Sequence, residues 1–304
     1  MYFDEILQQI QDDMIPHFGK GKVVDYIPAL RNMDPKGFGI CVQTVDGQMS
    51  GAGSWEKKFS IQSISKVFSL TMALSIAGED IWKNFSKSSS NAPFNAITPL
   101  EASCGIPTNP FVNAGAILVA DMLISITEDA KTAILDFVRE LSGNDSIQYD
   151  FAVAGSEKST GYRNVALANL MKSYGVLKNS VDEVLDVYFH QCSLAMSCKD
   201  VAKATLYLAN HGYCPEKGRQ IIANNQARRI NALLMTCGMY ESSSEFAFNI
   251  GLPGKSGVGG GIFVTVPHNL SVCIWSPELD EHGNSYVGTK ALEDFIEKTD
   301  LSVF

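Results

Sequence analysis

The chain has no Cys-x-x-Cys pair, no run of basic residues, no internal repeat and no histidines at metal-ligating spacing. Its seven cysteines, Cys41, Cys104, Cys192, Cys198, Cys214, Cys237 and Cys273, are odd in number and scattered. That pattern argues against a disulfide framework and against a zinc site, and favours reduced thiols in a cytoplasmic protein. His17, His190, His211, His268 and His282 are dispersed, so no metal site is expected. The longest apolar stretch, Ala114 to Ile126, contains Asp121 and is too short to cross a bilayer. The N-terminal residues carry acids where a secretion signal carries bases. A net charge of -9 disfavours nucleic acid and anionic membrane as partners.

What is present is ample apolar content: 45% of 304 residues, against 19% charged. That is enough for one large core or two interlocked ones. Phe3, Ile6, Leu7, Ile10 and Met14 recur at helical spacing, which predicts a helix over 2–18 with Pro16 as its stop. Phe38 to Ser54 reads as a hairpin around Asp46-Gly47. Ser60 to Ala77 reads as a buried helix ended by Gly78, and 86–95 as a polar loop. Helices are predicted at about 114–126, 129–142, 164–175, 181–192, 197–210 and 216–237, with no strand between them. Phe246 to Gly251, Ile262 to Val266 and Leu270 to Trp275 read as strands, and Ser285 to Lys298 as a closing helix. Strand-forming sequence thus sits at both ends with helices between. The expected architecture is α+β: an antiparallel sheet built from 1–62 and 245–304, with 63–244 inserted as a helical domain.

Chemistry concentrates in FSIQSISKVFSL, residues 59–70. Ser63 and Lys66 stand three residues apart, one turn on the same helix face. An S-x-x-K pair is a signature of serine acyl-transfer enzymes. Ser63 could instead be a plain N-cap, but Lys66 enters a segment that is otherwise almost wholly apolar. Burial lowers a lysine's pKa, and a neutral amine can take a proton from serine.

The second element is GLPGKSGVGGG, residues 251–261. Lys255-Ser256-Gly257 matches the K-T-G element of penicillin-recognising enzymes, with serine keeping the hydroxyl. The backbone amide of Val258 could join that of Ser63 in an oxyanion hole. A phosphate loop is excluded because Asn249 stands where its first glycine belongs, and because the order is loop to strand.

FSIQSISKVF, DYIPAL (25–30), NPFVNAGAI (109–117) and PGKSGVGGGI (253–262), in this order, resemble the serine-dependent glutaminases. The resemblance runs from Tyr26 to the C-terminal helix. It implies the fold of serine β-lactamases and transpeptidases, L-glutamine as small-molecule substrate, no cofactor, and a homo-oligomer, dimer or tetramer. It also implies roles residue by residue. Ser63 matches the nucleophile and Lys66 its base. Asn113 matches a substrate-binding asparagine. Glu157 and Asn164 match residues holding the substrate's α-amino and α-carboxylate ends. Tyr188 and Tyr240 match two active-site tyrosines, Val258 the oxyanion-hole amide, and Tyr26 a further tyrosine of the pocket.

These types suit the substrate. Its ammonium calls for a carboxylate, its carboxylate for donors, and departing ammonia for a proton. Taken singly, Glu157 on a polar loop would be solvated surface, and Asn113 a helix cap. Cys104 has no neighbouring signature of a nucleophile. Two other readings stay open: a different serine acyl hydrolase on the same scaffold, and a glutamine-binding protein without catalysis.

Overall fold

The computed structural model describes residues 3–90 and 92–304. Helix α1 (Phe3–Asp13) leads through a 3-10 turn, Ile15–His17, to the hairpin of β1 (Gly39–Thr44) and β2 (Met49–Gly53). Then follow α2 (Ser65–Ala77), α3 (Asn113–Ile126), α4 (Ala130–Ser142), α5 (Phe151–Thr160), α6 (Tyr162–Ser173), α7 (Val181–Cys192), α8 (Cys198–Ala209), α9 (Asn224–Cys237) and α10 (Ser243–Asn249). Strands β3 (Gly254–Gly257), β4 (Gly261–Val266) and β5 (Leu270–Trp275) precede the closing helix α11 (Tyr286–Thr299).

The five strands form one antiparallel sheet in the order β2-β1-β5-β4-β3, so strands from both ends of the chain meet at the β1–β5 seam. Residues alternate in facing along a strand. Ile40, Val42, Val264, Val272 and Ile274 pack into one cluster with Leu7 and Ile10 of α1 and Phe295 of α11. Cys41, Phe263, Cys273 and Trp275 pack into the other, with Val201 and Leu208 of α8. Both faces are therefore covered, which is why β1, β4 and β5 are buried along their whole length and read as nearly continuous apolar runs. The architecture is the expected α+β, β-lactamase-like arrangement.

Several local expectations are corrected. Phe246 to Gly251 is not a strand but lies in and just after α10. Alternation and helical spacing are hard to tell apart in six residues. Phe246 and Ile250 are four apart and share the α1 cluster, while Phe248 is exposed. The helix expected from 216 begins at Asn224. Tyr213–Cys214 and Arg219–Gln220 pair as a small hairpin instead, turned by Gly218 at φ 63°. Helix α5 was not expected, because Gly155, Ser156, Ser159 and Thr160 weaken its propensity. Asp150 starts it, its carboxylate accepting from the amides of Ala152 and Val153 at 3.0 and 3.1 Å. The helical block is also crossed by short strands at Gln148–Tyr149 and Leu194–Met196. Residue 2 of the first expected helix and residue 91 of the polar loop lie outside the described residues.

Candidate active site

Ser63 does not sit within the regular helix foreseen over 60–77. Phe59–Ser60 pair with Ala195–Met196 as a strand, Gln62–Ile64 make a 3-10 turn, and α2 starts at Ser65. Gln62 enters that turn at φ 49°, a conformation that costs energy for a non-glycine residue and so points to a constrained position. Ser63 and Lys66 keep their one-turn spacing across the junction.

Lys66 is buried, at 1% exposure. Its Nζ donates to the Phe111 carbonyl at 3.0 Å and to Asn113 Oδ1 at 2.8 Å. No carboxylate lies within ion-pairing distance of it among the described residues. Burial therefore brings its pKa down to about 8, with Cys192 and Glu157 pulling weakly the other way. A neutral amine has two N–H groups and one lone pair. Here both N–H groups have acceptors, which leaves the lone pair unspent.

Asn113 opens α3 and does more than cap it. Its Oδ1 holds Lys66, and its Nδ2 donates to Asn164 Oδ1 at 2.9 Å. Glu157, expected on a polar loop, stands on α5 with Val153 and Ala154 on the buried face of that helix. Burial raises its pKa to about 7, while Gln62 and Lys66 draw it down.

Tyr240 heads the 3-10 turn Tyr240–Ser242 at φ 55°. Its ring lies 3.9 Å from Lys255 Nζ and 5.9 Å from Lys66 Nζ. Burial holds its hydroxyl well above the ordinary phenol pKa, while hydrogen bonding to Ser63 opposes that. Lys255 on β3 is also buried without a carboxylate, its Nζ donating to the Ser256 carbonyl at 2.8 Å. Burial and the nearby Lys66 push its pKa well down. Two buried lysines, each with its pKa lowered, thus lie near the Tyr240 ring.

The glycines of 254–261 now have a physical reason. A Cβ on Gly257 would run into the Ile61 carbonyl and come within 3.2 Å of the Ser63 nitrogen. Only glycine lets β3 press against the turn carrying Ser63, at the position just before Val258.

A cavity of about 120 Å³ opens over these groups. Tyr26, Ser63, Asn113, Glu157, Asn164, Tyr188 and Val258 line it. Lys66 and Tyr240 adjoin it: Lys66 donates to the lining Asn113, and the Tyr240 ring packs on the lining Phe94 while its hydroxyl donates to the Ser256 carbonyl at 3.5 Å. The structure thus brings together all nine residues singled out in the sequence. Tyr26 is half exposed at the rim, while Tyr188 is buried with its hydroxyl pKa raised, first by burial and then by Cys192. Gln62, Phe94, Arg163 and Cys192 also line the cavity and were not foreseen. Phe94 comes from the polar loop and packs on Tyr240 with ring centroids 4.6 Å apart. Only its single aromatic ring in SKSSSNAPFN could have marked it. The Cys192 thiol is pushed up to about 12 by burial, so it is a poor nucleophile. A larger groove of about 570 Å³ between Trp82 and Leu233 holds the Arg229–Glu79 ion pair and is lined by none of the residues singled out in the sequence. No group of three metal-ligating side chains occurs among the described residues.

A family model described as Glutaminase matches residues 21–304. A glutaminase of Agrobacterium fabrum is 51% identical over 301 residues, spanning 98% of this chain and 97% of its own. Among solved structures, the probable glutaminase YbaS superimposes with a TM-score of 0.92 at 33% identity, covering 99% of this chain and 98% of its own. The Bacillus subtilis glutaminase YbgJ, in a covalent complex with 5-oxo-L-norleucine formed by reaction with 6-diazo-5-oxo-L-norleucine, superimposes at 0.87 with 32% identity, covering 99% of each chain.

Proposed function

The chain belongs to the glutaminase family, and we propose that it hydrolyses L-glutamine to L-glutamate and ammonia through a Ser63–Lys66 acyl-enzyme. The observation that carries this reading is the buried Lys66 amine, brought down to about 8, with both N–H groups engaged and no carboxylate to hold its charge.

In the proposed sequence the Lys66 lone pair takes the Ser63 hydroxyl proton. The freed oxygen attacks the side-chain amide carbon of glutamine. Charge collects on the amide oxygen, which the Ser63 and Val258 amides receive. The C–N bond then breaks, and ammonia leaves with the proton relayed from Lys66 through Tyr240. Water attacks the γ-glutamyl ester, giving its proton to Lys66, and the Ser63 oxygen departs and recovers a proton. Glu157 holds the substrate's ammonium, and the Asn164, Tyr26 and Tyr188 side chains orient its polar ends. Covalent reaction of the YbgJ protein with a diazo-ketone glutamine analogue supports a nucleophilic route.

Replacing Ser63 with alanine should abolish ammonia release with the fold intact. Mass mapping after treatment with 6-diazo-5-oxo-L-norleucine should place the adduct on Ser63. An adduct on another residue, or turnover in Ser63→Ala, refutes the assignment. Two further parts of the reading concern the whole molecule. Self-association, as a dimer or tetramer, is part of this reading, which light scattering would test against a monomer. Seven free cysteines suit the reducing cytoplasm, which cell fractionation would test. No described helix is long and apolar enough to cross a membrane.

A further inference from the structure

The histidines are scattered along the chain, yet the fold joins two of them. His211 follows the end of α8, and His268 sits in the turn between β4 and β5, 57 positions further on. His268 Nδ1 stands 3.0 Å from His211 Nε2. The ring centroids are 4.4 Å apart with 38° between the planes. Two rings meeting nitrogen to nitrogen in line would lie further apart, so these meet at a bend. Both side chains are exposed, and neither residue lines the candidate active-site cavity.

Their backbones are held. His211 at φ 56° and His268 at φ 70° both occupy the left-handed region, which costs energy for a non-glycine residue. Gln220 Nε2 donates to the His211 carbonyl at 2.7 Å, and the His268 amide donates to the Ala209 carbonyl at 2.7 Å. Gly212, at φ 87°, lets the chain pass against the Ile222 carbonyl, which a Cβ there would strike. Anchored turns therefore carry both rings, the preorganisation that a ligand site needs.

Asn224, the first residue of α9, places its Oδ1 3.3 Å from His211 Nδ1. A carbonyl oxygen only accepts, so Nδ1 carries the hydrogen and His211 Nε2 carries a lone pair. A metal-ligating histidine is held in this way, its second nitrogen donating to an outer acceptor that fixes tautomer and orientation. His268 has one hydrogen for two nitrogens. Its Nε2 has no protein partner among the described residues, and a hydrogen placed there frees Nδ1 as a second lone pair at the same gap. Carboxylates pair with His190 and His282 but with neither member of this pair, among the described residues. The ligands are thus two neutral imidazoles, which suit zinc, nickel and copper and not the oxygen-seeking magnesium and calcium. Two nitrogens at right angles on one metal, each at about 2.1 Å, lie about 3 Å apart. That separation is already present.

We propose that His211 and His268 form a two-histidine site for a divalent late transition-metal ion, with Asn224 orienting His211 and water completing the coordination. The ion clips the end of α8 to the β4–β5 turn. The site stands apart from the glutaminase chemistry and takes part in no step of it. Spacing along the chain could not show it, because the two ligands come from different elements.

The test titrates tag-free protein with NiCl2 by calorimetry in a buffer without chelators. One Ni2+ should bind with micromolar affinity, and Ni2+ at roughly a hundredfold excess over its Kd should raise Tm by a few degrees. MgCl2 at the same concentration should do neither. His211→Asn and His268→Asn keep a residue that tolerates left-handed backbone and remove the imidazole. Each should weaken Ni2+ binding at least about tenfold and abolish the rise in Tm, with the far-UV circular dichroism of the wild type. Asn224→Ala should weaken it about tenfold, through the lost acceptor. An absence of Ni2+ binding, binding that both histidine variants retain, or an equal response to Mg2+ overturns the site.

Discussion

The sharpest prediction concerns pH, because the proposed base is an amine whose charge the fold has made costly. A lysine with the ordinary pKa of about 10.5 is neutral in roughly 3 molecules of 10,000 at pH 7. Lys66, brought down to about 8, is neutral in about one of ten. The fold therefore enlarges the reactive population about 300-fold, equivalent to roughly 3 kcal/mol. The sign for stability runs the same way. The folded pKa lies below the unfolded one, so Lys66 penalises the fold fully below about pH 8, and the penalty fades as pH rises from there toward 10.5. Glu157, raised to about 7, must lose its proton to bind an ammonium. The expected profile of kcat/KM, which reports the free enzyme, climbs steeply below pH 7, less steeply to about 8, and then levels. Because the two groups interact, the two limbs belong to the pair. The assay is ammonia release at low substrate across pH 5.5–9, for the wild type and for Lys66→Arg. Arginine stays protonated throughout, so the variant should lose at least about 1,000-fold and show no rise toward pH 8. A flat wild-type profile, or a Lys66→Arg profile that keeps the alkaline rise, refutes the reasoning.

Four other outcomes follow from the geometry. Gly257→Ala should lower kcat by about 100-fold or more, since its Cβ forces β3 off the Ser63 turn and spoils one oxyanion donor; a change under threefold would contradict that. Lys66→Met should abolish turnover yet raise Tm by a few degrees at pH 7, because it removes a buried amine; a lower Tm would show that the Phe111 and Asn113 bonds outweigh the burial. Glu157→Gln should raise KM for glutamine about tenfold or more and erase the lower limb of the pH profile, as steady-state kinetics across pH would reveal. Tyr240→Phe keeps the ring near the two lysines but removes the hydroxyl, so kcat should fall about 100-fold with Tm nearly unchanged. A large loss of Tm would assign the tyrosine to packing instead.

Much of the fold was legible in the residues because its signals are local. The Asp46-Gly47 turn, the apolar pulse of β4 and β5, and the periodicity of α1, α4 and α7 each act within a few residues. The misreadings mark where local signals tie. Phe246 to Gly251 alternates as a strand would, and only the shared burial of Phe246 and Ile250 decides for helix. Helix α5 has poor propensity and forms because Asp150 caps it and Val153, Ala154 and Glu157 are drawn inward.

The sequence by itself determined which chemical groups exist and their order: a serine one turn before a lysine, a Lys-Ser-Gly segment nearly two hundred residues later, and an apolar frame to hold them. Only the tertiary structure decided their state. Desolvation depends on every neighbour within several ångströms. Those neighbours reach Lys66 from Phe111, Asn113, Glu157, Cys192 and Tyr240, on four different segments. A carboxylate that taken singly read as solvated surface is buried, and Gly257, matched in the sequence to a K-T-G element, is the gap through which β3 reaches the turn carrying the serine. Spacing along a chain fixes what can meet within one turn, whereas charge and reactivity are set by what the folded chain packs around it.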